Sequence, residues 1–370
     1  MATDGSSRAQ PLDTNNDVRQ EVNEDGNRAI QQAHNAVEGV STSAQVSPAD
    51  TTSQQHEDDD DDDHLSLYKH VRMLGHGGSA SVEMVRHSKT GSVFARKIIR
   101  NVYSRNMEDA KRKLLNEVQI MQRLSSHRHI AKVHATYIKG RELAIILEPV
   151  ADSGDLANFL QNFRDESFTL YHPDRVTRDR RAASLRILKM AFGCLASALA
   201  FIHQQTIRHK DIKPQNILIH QERVMYTDFG LSYDYADIGR STTSGNPQGF
   251  TRRYCAPEVA KGESRNSKSD IFSLGCVFIE ICLALVNDAS YDEVYRARPF
   301  HELVQSHPHG LPLPLFNYTN TDQLLNDVLG RMLSSDSASR PSASSIAYLV
   351  IEGALHGFSC SECKEVFQFT

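Results

Sequence analysis

Residues 209–216 read HKDIKPQN, which sets His209, Lys210, Asp211, Lys213 and Asn216 on one short loop after the apolar helical run LKMAFGCLASALAFIH at 188–203. Two readings fit such an octamer taken alone. One is a polar loop that caps a helix. The other is a catalytic loop in which Asp211 takes a proton and Asn216 holds a metal ion. The flanking sequence has to decide between them.

Upstream, LGHGGSASV at 74–82 joins the predicted strands YKHVRMLG and SVEMVRH, with Gly75 and Gly77 spaced G-x-G and Ala80 where a third glycine would fit. A Gly-rich hairpin is a common turn. Its functional reading is that backbone without side chains comes close to phosphates and donates N–H bonds to them. The order strand, loop, strand sets it apart from the strand-to-helix phosphate loops of dinucleotide and Walker-type folds. Next comes VFARK at 93–97. On a strand Ala95 and Lys97 share a face, so a small side chain leaves room for a flat base while the ammonium reaches the phosphates. A lone strand lysine is ordinarily solvated. Here the helix predicted over 107–124 offers a partner: Leu114, Val118, Met121 and Leu124 share its apolar face, and Glu117 borders that face.

From Leu67 to about Leu147 the pattern is mostly strand; after Val150 it turns to helices joined by loops. The expected fold is α+β: a small antiparallel sheet with one long helix, then a larger helical lobe. The polar, basic stretch at 164–184 is expected as a surface insertion between two helices. No internal repeat is visible.

The motifs then accumulate in order. Gly75-x-Gly77-x-x-Ala80-x-Val82, Ala95-x-Lys97, Glu117, HKDIKPQN, DFG at 228–230, APE at 256–258, SDIFSLG with Asp270 and SRP with Arg340 occur at family spacing. Across about Tyr68–Leu355 the sequence resembles the eukaryotic-type protein kinases, serine/threonine branch. The resemblance implies ATP and magnesium as cofactors, with Lys97 on the α and β phosphates and Glu117 fixing it. It implies Asp211 as the base for the substrate hydroxyl, Lys213 beside the transferring phosphoryl group, and Asn216 and Asp228 as magnesium ligands. Gly75, Gly77, Ala80 and Val82 would cover the nucleotide. Val82, Ala95 and Leu218 would sandwich adenine, behind Leu147 as gatekeeper, with backbone groups of Glu148 and Val150 recognising the base in a hinge at 148–151. Met121, His209 and Phe229 would stack between the lobes.

Lys213 in D-I-K-P-x-N and Thr251 in TRRYCAPE resemble the serine/threonine branch, where such a threonine ties the peptide-docking loop to Asp211 and Lys213. Thr251 alone also fits a turn cap. Asp270 reads as a helix cap by preference, while the resemblance makes it a brace for the HKD backbone. Arg340 would pair with Glu258. The expected activity is serine/threonine protein kinase. The alternative is a pseudokinase-like scaffold that binds ATP and recruits partners through its tails; such a protein is expected to lose Lys97, Asp211 or Asp228, and all three stand. Small-molecule phosphotransferases lack the APE and SRP segments.

Two departures stand out. Lys210 replaces the family's usual arginine, exchanging a planar fork for a point charge and weakening phosphate recognition. Ser241, Thr242, Thr243 and Ser244 remain candidate phosphosites. At the end of the sequence Phe358-x-Cys360-x-x-Cys363-x-x-x-Phe367 resembles the first hairpin of a two-Cys, two-His zinc finger, without that finger's helix and histidines. His356 would add at most a third ligand, so the expectation is a vestigial half-finger over 356–370.

Composition bounds the rest. The chain has 370 residues, a formal net charge of −5 and six cysteines. Residues 1–63 lack Phe, Tyr, Trp and Cys and end in the acidic run Glu57–Asp63. They are expected as a disordered tail, a solvated linker or a docking segment for a basic partner, ahead of a kinase domain at 64–355. With that run set aside the chain is near neutral, which suggests no nucleic-acid footprint. The start MATDGSSRAQ has no apolar signal region, and the run at 271–286 is short for a span and broken by Glu280. An intracellular protein, cytoplasmic or nuclear and without a membrane partner, is expected. Cys194, Cys255, Cys276 and Cys282 read as reduced, packed thiols.

Overall fold

Period-two alternation builds the first lobe. In the strand Glu142–Glu148 the side chains of Leu143, Ile145 and Leu147 enter the main core. Ala144 and Ile146 point the other way, into a second cluster with Val85, Phe94 and Tyr137. The computed structural model describes residues 67–368 apart from 78–79, 101–102, 104–105, 140, 169–173, 237–240, 244–248, 287–288, 308–310, 312–319 and 353–356. The expectations for the acidic tail, Ser244 and His356 lie outside the described residues, as does the side chain of Phe367.

The sheet has five antiparallel strands: β1 (Tyr68–His76), β2 (Ala80–His87), β3 (Val93–Ile99), β4 (Lys132–Lys139) and β5 (Glu142–Glu148), in the order β1-β2-β3-β5-β4. Its register sets Gly75 opposite Val82, Val82 opposite Lys97, and Ala95 opposite Leu147. The expected nucleotide-facing residues thereby fall on neighbouring strands. Against the sheet lies α1 (Met107–Arg123), whose Leu114, Val118 and Met121 are buried as its periodicity predicts. Glu117 was expected at the border of that face; it is inside it, 3% exposed.

The C-lobe is helical. Its α2 (Leu156–Phe168) and α3 (Arg175–Gln204) absorb most of the stretch expected as an insertion. Asp174 caps α3 by accepting from the Thr177 N–H. Arg181 stacks on the Phe163 ring and bonds the Phe163 carbonyl, so this basic segment folds as helix against helix. The loop 209–216 is strung between short strands. Before it, β6 (Ile207–Arg208) pairs with Tyr233–Asp234; after it, β7 (Ile217–His220) pairs with β8 (Arg223–Tyr226). The apolar run at 271–286 belongs to a 19-residue helix, α4 (Lys268–Val286). Like Arg175–Gln204, that helix is long and apolar enough to cross a membrane; most of the apolar residues of both are spent in the C-lobe core.

The terminal segment corrects the sequence reading. Ser361–Gln368 is an α-helix (α5), not the second strand of a finger hairpin, with Cys360 just before it and Cys363 in its first turn. Charged residues at Glu362, Lys364 and Glu365 around an inward Cys363 suit a helix, and Glu362 in the first turn complements its dipole.

Candidate active site

The loop 209–216 is held by one carboxylate. Buried Asp270, in the first turn of α4, accepts from the backbone N–H groups of His209 and Lys210, each at 2.9 Å, and from Nε2 of His203 at 3.0 Å. Burial alone would raise its pKa, but the bond from His203 and the loop N–H groups hold it below the carboxylate range. Lys210 has φ of 70°, a left-handed conformation uncommon outside glycine. Asp270 is thus a brace for strained backbone as well as a helix-terminal residue.

On this braced loop Asp211 collects three donors. Lys213 Nζ reaches its Oδ2 at 2.6 Å, the Asn216 amide reaches the same oxygen at 3.0 Å, and the Thr251 hydroxyl donates to Oδ1 at 2.7 Å. Lys213 also donates to Thr251 Oγ1 at 2.9 Å, which closes a triangle between the loop and the segment preceding APE. Removing the Thr251 hydroxyl breaks two of its sides. Thr251→Ala is expected to lower kcat about tenfold to a hundredfold, with the KM for ATP unchanged and Thr251→Ser near wild type; steady-state kinetics on one peptide checks all three.

Across the cleft, Lys97 Nζ bonds Glu117 Oε1 and Asp228 Oδ1, both at 2.7 Å. Burial would lower the lysine's pKa, but the two carboxylates outweigh it and raise it, so Lys97 stays charged. Burial raises Glu117 despite the Lys97 charge opposite, whereas Asp228, open to the cleft, is lowered by Lys97 against its own burial. Asp228 is left-handed at φ 60°. Two residues on, a Cβ at Gly230 would stand 3.2 Å from Glu117 Oε2, so the glycine permits the close approach of α1. Phe229 packs on buried His209 at 4.7 Å and shares the hydrophobic core with Met121.

The donor chemistry suits a hard divalent ion. Asn216 spends its amide nitrogen on the Asp211 carbonyl at 2.9 Å and on the Asp211 carboxylate. That fixes the amide's orientation and leaves its carbonyl oxygen, with the second Asp228 oxygen, as oxygen ligands of the kind magnesium takes. Above them Gly75, Gly77, Ala80 and Val82 lie on or between β1 and β2, with the Gly77 N–H on the Ala80 carbonyl at 2.8 Å. Ala95 and Leu147 are buried neighbours, Glu148 ends β5, Val150 packs on the core, and Leu218 lies on β7.

Sequence reading missed a basic cluster. Buried Arg208 donates to the Thr243 hydroxyl at 2.9 Å and to the Arg265 carbonyl at 3.0 Å, while Thr243 and Arg265 exchange backbone hydrogen bonds. The pKa of Lys210 is lowered by burial and by the charges of Arg208 and Arg265. Arg208, one position before HKDIKPQN, was the available signal.

The family model described as protein kinase domain matches residues 68–348. The chain is 28% identical to mitogen-activated protein kinase kinase 2 of Arabidopsis thaliana, over 87% of this chain and 78% of that one. It is 27% identical to serine/threonine-protein kinase Nek8 of Danio rerio over 75% of this chain and 36% of the relative. With serine/threonine-protein kinase PknB of Mycolicibacterium smegmatis it shares 34% over 59% of this chain and 33% of the relative. It thus spans most of the first and about a third of the other two.

Proposed function

The chain belongs to the protein kinase family, and from that premise we propose that it transfers the γ-phosphoryl group of ATP to serine and threonine hydroxyls of protein substrates. One observation carries the reading: the Asp211, Lys213 and Thr251 triangle joins the loop that would hold a substrate hydroxyl to the segment that would dock its peptide. Asp211 accepts the hydroxyl hydrogen and takes its proton. Lys213 offsets charge on the transferring group, and Lys97, held by Glu117, binds the phosphates. Asn216 and Asp228 would hold magnesium, which would neutralise charge on the phosphates. Gly75, Gly77, Ala80 and Val82 cover the nucleotide, while Ala95, Leu147, Glu148, Val150 and Leu218 frame the base. Incubating the chain with magnesium-ATP and a mixed peptide library tests it. Phosphoserine and phosphothreonine are expected, and predominant phosphotyrosine would overturn the assignment.

Control by the segment between Gly230 and Ala256 centres on Thr243. Of the described candidate phosphosites, Ser241, Thr242 and Thr243, it is the one bonded to Arg208 and bridged to Arg265. A phosphate there meets a cluster of positive charge that offers charge-assisted hydrogen bonds despite the family's arginine being Lys210. Phosphorylation at Thr243 is expected to raise kcat/KM about tenfold, the worth of one such bond. Thr243→Val should abolish that gain while Thr242→Ala keeps it. Phosphosite mapping beside the kinetics reads both, and full activation of Thr243→Val would refute the role. We place the protein inside the cell, with the kinase domain at 64–355. The acidic run Glu57–Asp63 serves as a docking segment for a basic partner, supported by its charge density.

A further inference from the structure

The half-finger reading lacks ligands only while the terminal cysteines are considered alone. The fold brings two more to them. His129 precedes β4, Cys194 lies midway along α3, and Cys360 and Cys363 open α5; their ligand atoms all lie within 4.8 Å of one another. We infer that His129, Cys194, Cys360 and Cys363 form a structural Cys₃His zinc site within one chain.

Three observations beyond proximity support it. Zn–S bonds near 2.3 Å and Zn–N bonds near 2.0 Å set tetrahedral ligand separations of about 3.4–3.8 Å, and His129 Nε2 stands 3.4 Å from Cys360 Sγ. The other ring nitrogen of His129 is spent: Nδ1 lies 2.7 Å from the Val224 carbonyl. A carbonyl only accepts, so Nδ1 carries the proton and the Nε2 lone pair faces the sulfurs, the orientation that metal-ligating histidines take from their outer partners. Three of the four are buried, with His129 1%, Cys194 2% and Cys363 3% exposed, and Cys360 is half-buried at the edge, which suits a closed structural centre rather than an open catalytic one.

The surrounding chain is built to keep the terminal segment there. The Gly193 N–H donates to the Phe358 carbonyl at 2.8 Å, and a Cβ at Gly193 would stand 2.6 Å from that oxygen. Phe358 packs against Phe192, and Arg128 pairs with Glu362. Zinc binding releases three thiol protons, and the resulting anionic centre is stabilised by the Cys360 N–H, which points at Cys194 Sγ at 3.3 Å. Through His129 the metal pins the segment between α1 and β4 to α3 and to the chain's end. Tyr226 of β8 backs that segment through backbone bonds to His129 and Ala131 at 2.9 Å each.

The test is metal analysis of the full chain by mass spectrometry, with Co(II) exchange. One zinc per monomer is expected, and Co(II) should give the thiolate charge-transfer and intense d–d bands of a tetrahedral site. Cys363→Ser, which exchanges one sulfur for an oxygen of nearly the same shape outside the matched kinase region, should lose most of the zinc. Cys363→His should retain it, and Cys255→Ser should match wild type. Chelation should lower the Tm of wild type by about 5 °C or more and leave Cys363→Ser unmoved. A folded chain with no zinc, zinc content unaffected by Cys363→Ser, one zinc per two chains in a dimer, or an intact mass showing Cys360 disulfide-bonded would each overturn the site.

Discussion

Asp211→Asn is expected to lower kcat by roughly 10²- to 10⁴-fold, the span that a positioned general base contributes, while the Kd for ATP stays within about twofold. The loss has two sources. An amide cannot take the substrate proton. It also cannot satisfy its neighbours, because Lys213 and Asn216 both aim donors at Oδ2 and Thr251 donates to Oδ1. With one oxygen replaced by NH₂, at least one donor faces another, and the triangle that aligns the peptide-docking segment opens. ATP binding is spared because Lys97, Glu117 and Asp228 hold one another independently across the cleft. Single-turnover kinetics with a fluorescent-nucleotide titration separates the two effects. A variant within threefold of wild type would remove Asp211 from the chemistry. If wild type itself binds ATP and transfers nothing, the scaffold reading replaces the catalytic one.

What the sequence disclosed and what it hid follow from one physical difference. Residues bound to a phosphate chemistry sit in short local patterns, so HKDIKPQN, DFG and Ala95-x-Lys97 are readable, and β5 shows its two buried faces as an unbroken apolar run. The burial of Glu117 was less legible because a carboxylate in an apolar stripe reads as its edge until Lys97 arrives from β3 to compensate it. The extension of α3 into 164–184 was hidden because a solvated helix rich in arginine has the composition of a loop. Its cap, Asp174, and the Arg181 stack on Phe163 decide the matter in three dimensions. The four cluster ligands had no local signal beyond the Cys360-x-x-Cys363 pair. Cys194 looks like any apolar thiol on a core helix, and only the docking of the terminal segment across Gly193 brings it to the others.

Arg340→Met carries the largest expected effect on stability, about 3–5 kcal/mol by chemical denaturation, the cost of breaking one side of a buried pair. The Arg340 side chain is 0% exposed and bonds both Glu258 oxygens, at 2.7 and 2.8 Å, with its remaining donors on the Ser334 and Lys268 carbonyls. Without it, Glu258 keeps the Ser269 hydroxyl at 2.8 Å as its side-chain partner in a buried site. The deficit should be largest at neutral pH, and the sign follows from linkage. In wild type, burial pushes the Glu258 pKa up but the Arg340 charge and bonds bring it down overall. A folded pKa below the unfolded one, about 4.3, gives stability that is present above that value and lost as pH falls through the folded value. In Arg340→Met burial outweighs the remaining Ser269 bond and raises the folded pKa, so protonation on acidification relieves the variant while it costs wild type. The gap between the two should therefore narrow steadily from pH 7 toward about 4. A pH-independent gap would mean that the loss comes from the packing of Arg340 over Phe272 and not from its charge. The double variant Arg340→Met, Glu258→Leu should recover much of the stability, since a buried pair replaced on both sides leaves no orphaned charge.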